Sequence, residues 1–500
     1  MSFRLENVSF HGKTEFEAKD ISFTREGQTI SKGDNYYTVI IGNNGIGKSR
    51  LLGNIVRLFY NFKRGRIAKT FPYFTCRYNF NGSEFSINRT EGMRWDSDFY
   101  SSLPCPERIF AITNSISDSF PNDISMTPLL FRPNDNEINY HKESYLYFGS
   151  RGRANNASSY ALVNKCFDVF FDSKVNKVHQ DKFCRLFNFM EYEPSFKVKY
   201  SLKHPYHEEE NNGNVIDAMR SELERVDQRS VSGRASYSSE MSLKRIRHIL
   251  DNIEDEDLDE LNLLYRSGIE NEDGEIELNI NFLGTLKNIA FQQRKYKLLG
   301  VLYDAGLLNK RAISFTKKNG STFSFLKASS GEAGLIAMFM GLIPVLKNNS
   351  LIVIDEPELS LHPSWQFRYI ELLDAMLNEL KSCHVVIASH SHFILSDIPA
   401  DRSCVITLKE GEGNLILSEE IKEETHGSSA EDILLNVFKL PTTRNYYLSS
   451  IVTKALELVA AGQKNSGEFK EIIIKISEIK NNLRGDDPLS KVIENLISIG

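Results

Sequence analysis

Gly42-Asn43-Asn44-Gly45-Ile46-Gly47-Lys48-Ser49 is an unbroken G-x-x-x-x-G-K-[ST] string, and each part of it has its own physical task. The glycines let the backbone curl so that successive N–H groups point inward at a phosphate. Lys48 adds positive charge near the β- and γ-phosphates, and the Ser49 hydroxyl can ligate Mg2+. Tyr37-Thr38-Val39-Ile40-Ile41 ahead of it reads as a buried strand, and Leu51 to Phe59 after it reads as a helix. This strand–loop–helix setting predicts a bound nucleoside triphosphate, ATP with Mg2+. All of Gly42 to Ser49, together with the adjoining Arg50, are candidate nucleotide contacts.

Three further strings extend the pattern. In Leu351-Ile352-Val353-Ile354-Asp355-Glu356, four apolar residues predict a strand buried on both faces that delivers two carboxylates at its C-terminal end. There Asp355 can hold Mg2+ and Glu356 can take a proton from an attacking water. Ala328-Ser329-Ser330-Gly331-Glu332 leads into an apolar helix, and Ser and Gly N–H groups at a helix start suit an anion. Alone, that string also suits an ordinary N-cap with Glu332 in the first turn. Val385-Val386-Ile387-Ala388-Ser389-His390 is a buried strand ending in a histidine, a candidate γ-phosphate sensor in this company and a structural residue outside it.

The 500 residues carry a net charge of −6, with 41% hydrophobic and 25% charged residues, the composition of an ordinary globular chain with room for a large core. No apolar run of membrane-spanning length and no secretory leader is visible, so the expected location is cytoplasmic, with no membrane partner. Six scattered cysteines without a C-x-x-C pair point to reduced thiols. Between residues 206 and 280 there are 20 Asp/Glu against 8 Lys/Arg, so a nucleic-acid surface is not expected there.

Periodicity divides the chain into a first lobe at 1–154, a mostly helical acidic insertion at 155–300, a second lobe at 301–425 and a helical region at 426–500. Glu208 to Gly213 and Ser230 to Ser236 read as linkers. Arg151 and Arg153, near a Gly-rich bend, read as surface basic residues, with phosphate contact as the alternative.

Taken in order, the phosphate loop, S-S-G-E, D-E-P-E-L-S-L-H-P and S-H-S-H resemble the ABC-type ATPases, in the non-transporter branch that includes RecF, SMC-like and OLD-type proteins. The resemblance implies an α/β fold, an ABC-type P-loop head with a mixed sheet and flanking helices. It implies catalysis by Lys48, Glu356 and His390, and metal binding by Ser49 and Asp355. Ser329, Ser330 and Gly331 would contact ATP held by a second copy of the chain, and Leu359 to His362 would cross the dimer interface. Ala328 replaces the usual Leu of the signature, and Asn114 is only a positional stand-in for the missing Q-loop glutamine.

Tyr145 to Arg151 and Asp432 to Phe438 look like the PtuA-type ATPases of bacterial anti-phage defence, in Septu and retron-linked systems, which work with a separate HNH nuclease. The expected partners are therefore a second copy and a nuclease effector, with nucleic acid as a further possibility. The alternative is a RecF/SMC-like repair or recombination ATPase acting on DNA. An intrinsic OLD-type nuclease is not expected: the tail has no acidic set for two metals, and Asp486-Asp487 before Pro488 suits a helix start.

Overall fold

Tyr36-Tyr37-Thr38-Val39-Ile40-Ile41 lacks the alternation of a half-exposed strand, and all six residues are buried. Such runs belong to parallel sheets covered on both faces. The structure, a computed structural model, describes residues 2–14, 16–28, 33–115, 117–121, 144–151, 159–203, 214–229, 237–309, 312–423, 425–438, 446–480 and 488–499. The linkers read at 208–213 and 230–236, together with Arg153 and Asp486-Asp487, lie outside the described residues. The chain divides into two compact units, 1–426 and 427–500.

The first unit opens with β1 (Phe3–His11), β2 (Glu17–Ser22), β3 (Tyr36–Ile41), α1 (Lys48–Arg64), β4 (Tyr73–Phe80), β5 (Ser83–Arg89), α2 (Ser97–Ser102), β6 (Ile109–Thr113) and β7 (Tyr145–Phe148). Helices α3 (Ser159–Asp172) and α4 (Lys177–Phe189) lead to β8 (Tyr192–Ser201). Three helices follow, α5 (Val215–Arg229), α6 (Tyr237–Asn252) and α7 (Asp255–Glu270), then β9 (Glu275–Asn281) and α8 (Leu286–Asp304). The rest is β10 (Ala312–Lys317), β11 (Thr322–Ser324), α9 (Ser330–Leu342), β12 (Leu351–Asp355), α10 (Pro363–Phe367), α11 (Tyr369–Leu377), β13 (His384–Ala388), α12 (His392–Ser396), β14 (Ser403–Glu410) and β15 (Leu415–Glu420).

Eleven of the described strands form one mixed sheet, ordered β5-β4-β1-β2-β15-β14-β3-β13-β12-β6-β7. From β14 to β7 every neighbouring pair is parallel. On the other side, β15–β14, β1–β2, β1–β4 and β4–β5 are antiparallel. Register fixes what this sheet presents. Asp355 lies beside Ala388 and Thr113, and Ala388 lies beside Ile40. The C-terminal ends of β3, β13, β12 and β6 therefore finish in one row, the edge where open α/β sheets bind ligands.

Helix α1 lays Leu51, Leu52, Ile55, Val56, Leu58, Phe59 and Phe62 into the core below the sheet. A side chain at Gly53 would stand 2.3 Å from the Ser119 carbonyl oxygen, so that segment presses directly on the helix.

The stretch read as a mostly helical insertion also contains two strands. β8 and β9 pair antiparallel, and β8 pairs with β10, giving a four-stranded sheet in the order β11-β10-β8-β9. A boundary at residue 300 thus runs through one sheet. The missed signal is alternation: Tyr192, Pro194, Phe196, Val198 and Tyr200 are buried while Glu193 and Lys197 are exposed. An aromatic cluster of Phe167, Phe170, Phe183, Phe187, Phe282 and Phe315 packs this sheet against α3 and α4.

The second unit holds α13 (Tyr446–Ala460), α14 (Gly467–Lys480) and α15 (Pro488–Ile499), packed around Leu448, Val452, Phe469, Ile472, Ile476, Ile493 and Leu496. No helix of the described residues is long and apolar enough to cross a membrane. All six cysteines are unpaired, and four of them are buried.

Candidate functional site

The loop leaving β3 needs its glycines. Gly42, Gly45 and Gly47 have φ of 151°, 82° and 99°, values that a side chain rarely tolerates. At Gly47 a Cβ would also stand 2.6 Å from the Phe16 ring. Asn43, Asn44 and Gly45 are exposed, and Ile46 packs partly against the core. Arg50 is exposed, its guanidinium 5.5 Å from the centre of the Phe16 ring. Lys48 begins α1 and folds back over the loop, donating to the carbonyls of Gly42 (2.9 Å) and Asn43 (3.2 Å). Burial lowers the pKa of its ammonium, opposed by the nearby carboxylates of Glu356, Asp355 and Glu358.

Those carboxylates stand at the end of β12. Asp355 is buried, and its pKa rises to about 6 because burial outweighs its hydrogen bond with the Ser49 side chain. Its Oδ1 has no hydrogen-bond partner. A buried carboxylate with one orphaned oxygen and a serine hydroxyl on the other side fits a small hard cation completed by water and phosphate oxygens. Mg2+ belongs to that class.

Glu356 adopts a left-handed φ of 50° and bonds through its N–H to Ala388 O (2.9 Å). This turn sends its carboxylate along the row, where Oε1 lies 4.0 Å from His390 Nε2. Burial, then the Lys48 charge, lowers the His390 pKa, so the imidazole is neutral at pH 7.

The structure therefore brings Lys48, Ser49, Asp355, Glu356 and His390 together at one sheet edge. Asn114 follows Thr113 of β6 in the same row, and its side-chain oxygen would lie 3.0 Å from a Cβ at Gly334 of α9.

Ser329 to Gly331 have different neighbours. Ser329 caps α9 in a reciprocal capping box: its hydroxyl accepts from Glu332 N, and its own N–H donates to Glu332 Oε2 (2.9 Å). Glu332 Oε1 also accepts from the Tyr192 hydroxyl (2.8 Å) and Lys317 Nζ (3.4 Å) of the second sheet. Ser329 and Ser330 are exposed, whereas Gly331 is buried against the backbone of Ser360 and Leu361.

One group went unread in the sequence and another was misread. Glu358, inside D-E-P-E, accepts from the Ser389 hydroxyl and the His390 N–H. Arg151 is not a free surface cation: it pairs with the buried carboxylate of Asp118 and donates to Phe120 O, while the Tyr147 hydroxyl donates to the same carboxylate. Arg151 thereby ties residues 118–120 to the end of β7.

Residues 188–396 match the family profile described as "AAA domain, putative AbiEii toxin, Type IV TA system". The chain is 26% identical over 168 residues to "Retron Vc95 probable ATPase" of Vibrio cholerae serotype O1 biovar El Tor, a stretch covering 31% of this chain and 32% of that protein. It is 31% identical over 123 residues to "Protein ea59" of Escherichia phage lambda, covering 24% and 22%. The chain thus spans about a third or less of the length of these relatives. The SMC head domain of Pyrococcus furiosus superimposes on 84% of this chain and 96% of that one, at 10% identity and a TM-score of 0.30. The ATP-binding cassette MJ0796 does so on 84% and 99%, at 12% identity and a TM-score of 0.29. Superpositions this loose fix no residue of the chain. Over residues 188–396, less than half of its length and not including the phosphate loop, the chain is thus similar to this AAA-domain family.

Proposed function

We propose that this chain binds and hydrolyses ATP with Mg2+, closes into a homodimer around the nucleotide, and in that state regulates a separate effector in bacterial anti-phage defence. The observation that carries the nucleotide reading is the row of Ser49, Lys48, Asp355, Glu356 and His390 at adjacent strand ends, with Asp355 Oδ1 left without a partner.

Lys48 leaves the carbonyls of Gly42 and Asn43 for the β- and γ-phosphates, and the backbone N–H groups of Asn43 to Ser49 cradle the β-phosphate. Ser49 and Asp355 would hold the cation, which would supply positive charge to the phosphates. Glu356 takes the proton of the attacking water, and neutral His390 orients the γ-phosphate end of the site. Ser329, Ser330 and Gly331 complete the site of the opposing copy, across a face formed by Leu359 to His362. Leu359 is exposed there, and Phe367 is exposed at the end of α10, which follows it in the chain; both suit burial against another copy. The matched retron ATPase supports the defence role, and a nuclease is the proposed effector.

Replacing Glu356 with Gln removes the proton acceptor and keeps the shape, so the variant should accumulate as a dimer in ATP and Mg2+. Light scattering after size exclusion checks this. A variant that stays monomeric in saturating ATP while the parent turns ATP over overturns the closure mechanism.

A further inference from the structure

The loop from Glu356 to Gln366 and the segment Ser389 to Ser391 are fastened together by two side chains. Glu358 reaches across from the end of β12 to that of β13. Its Oε2 accepts from the Ser389 hydroxyl at 3.0 Å, and its Oε1 accepts from the His390 N–H. Ser389 is wholly buried, and its Oγ also accepts from Ser391 N (3.0 Å). Gln366 of α10 makes the second tie: its amide donates to Leu361 O (3.0 Å), and its Oε1 accepts from the Ser391 hydroxyl (2.8 Å).

His390 carries its imidazole on the very peptide that Glu358 grips. A carboxylate accepting from a backbone N–H and a neighbouring hydroxyl fixes the φ of that residue and removes its freedom to swing. Leu359 and Ser360, next along, are exposed, and Leu361 is buried. The same rigid piece therefore ends in the surface proposed to meet a second copy, and begins at Glu356.

We infer that Glu358 is a positioning residue for ATP hydrolysis: it acts through His390, holding the imidazole against the reacting end of the site and tying its place to the Leu359–His362 surface. This rests on the ATP-hydrolysis reading above. The role is geometric and needs a side chain that can keep both hydrogen bonds, not a negative charge. Glutamine can do so, because its oxygen can accept the His390 N–H while the Ser389 hydroxyl turns to accept from the amide.

Steady-state ATP hydrolysis and binding of a fluorescent ATP analogue to the full chain test this. Glu358→Ala should lower kcat about tenfold or more, with the KM for ATP and the analogue's affinity held within about threefold, the pattern of an interaction lost only in the reacting complex. Glu358→Gln should recover kcat to within about threefold of the parent. In a His390→Ala background Glu358→Ala should cost nothing further, because a residue that acts through another shows full non-additivity. If Glu358→Ala does not fold, Ser389→Ala carries the test, with a smaller fall in kcat that likewise vanishes in the His390→Ala background. Parent-like kcat in Glu358→Ala, no recovery with Gln, or additive losses with His390→Ala each overturn the inference. A parent chain that fails to hydrolyse ATP overturns the reading beneath it, so the two failures are told apart.

Discussion

His384 shows how this chain uses a titratable side chain as plain scaffold, six residues before the histidine of the site. It sits fully buried at the start of β13. Its Nδ1 accepts the Leu5 N–H at 3.0 Å, which leaves Nε2 as the protonated nitrogen facing Thr38 Oγ1 at 2.9 Å. Burial, reinforced by the charge of Arg4, holds its pKa well below the ordinary histidine value. The folded ring therefore stays neutral while the unfolded one takes up a proton below about pH 6.5. Its contribution is complete above that pH, and each unit of acidification below it costs about 1.4 kcal/mol of stability until the folded pKa is reached. Denaturant titrations at pH 7.5 and 5.5 should show a larger acid loss for the parent than for His384→Gln; equal losses would remove this assignment.

At the level of elements, the start of α9 and the loop after β12 meet with no space between them. A Cβ at Gly331 would lie 2.2 Å from the Ser360 carbonyl oxygen and 3.3 Å from Leu361 Cα, both backbone atoms that cannot rotate away. Gly331→Ala should cost about 1–3 kcal/mol through forced displacement, read as a lowered Tm without any nucleotide. An unchanged Tm would show that the loop yields freely. Much of this level was legible in the sequence. The runs at 37–41 and 351–354 announced buried parallel strands, because apolar residues on both faces leave little alternative. β8 and β9 went unread although they alternate, because the helices around them dominate the stretch. The link from Glu358 to His390 was not legible at all: it depends on β12 and β13 being neighbours, and neither strand states that locally. Arg151 was misread for the same reason, since Asp118, 33 positions away, is brought to it only by the fold.

For the molecule as a whole, the central fact is where the partners of β3 come from. The strand that carries the phosphate loop lies between β13 and β14, so both of its neighbours begin beyond residue 383. The carboxylate proposed to hold the cation, on β12, comes from residue 355. In a chain made from the N-terminus, the phosphate loop therefore leaves the ribosome with nothing to pair against. About 340 further residues separate Ile41 from His384, roughly 20–70 s at ordinary rates of synthesis. Through that interval Tyr36 to Ile41 is an apolar segment with open edges, of the kind chaperones shield. A chain ended after residue 380 should gain no thermal protection from ATP and should be digested rapidly by trypsin, whereas the full chain should gain that protection and resist digestion; protection of the shortened chain would show that β3 finds other neighbours. On the proposed function, the ability to take up nucleotide is thus acquired late in the life of the nascent chain, and an interrupted product, although it contains the whole G-x-x-x-x-G-K-S string, should not draw on the cell's ATP.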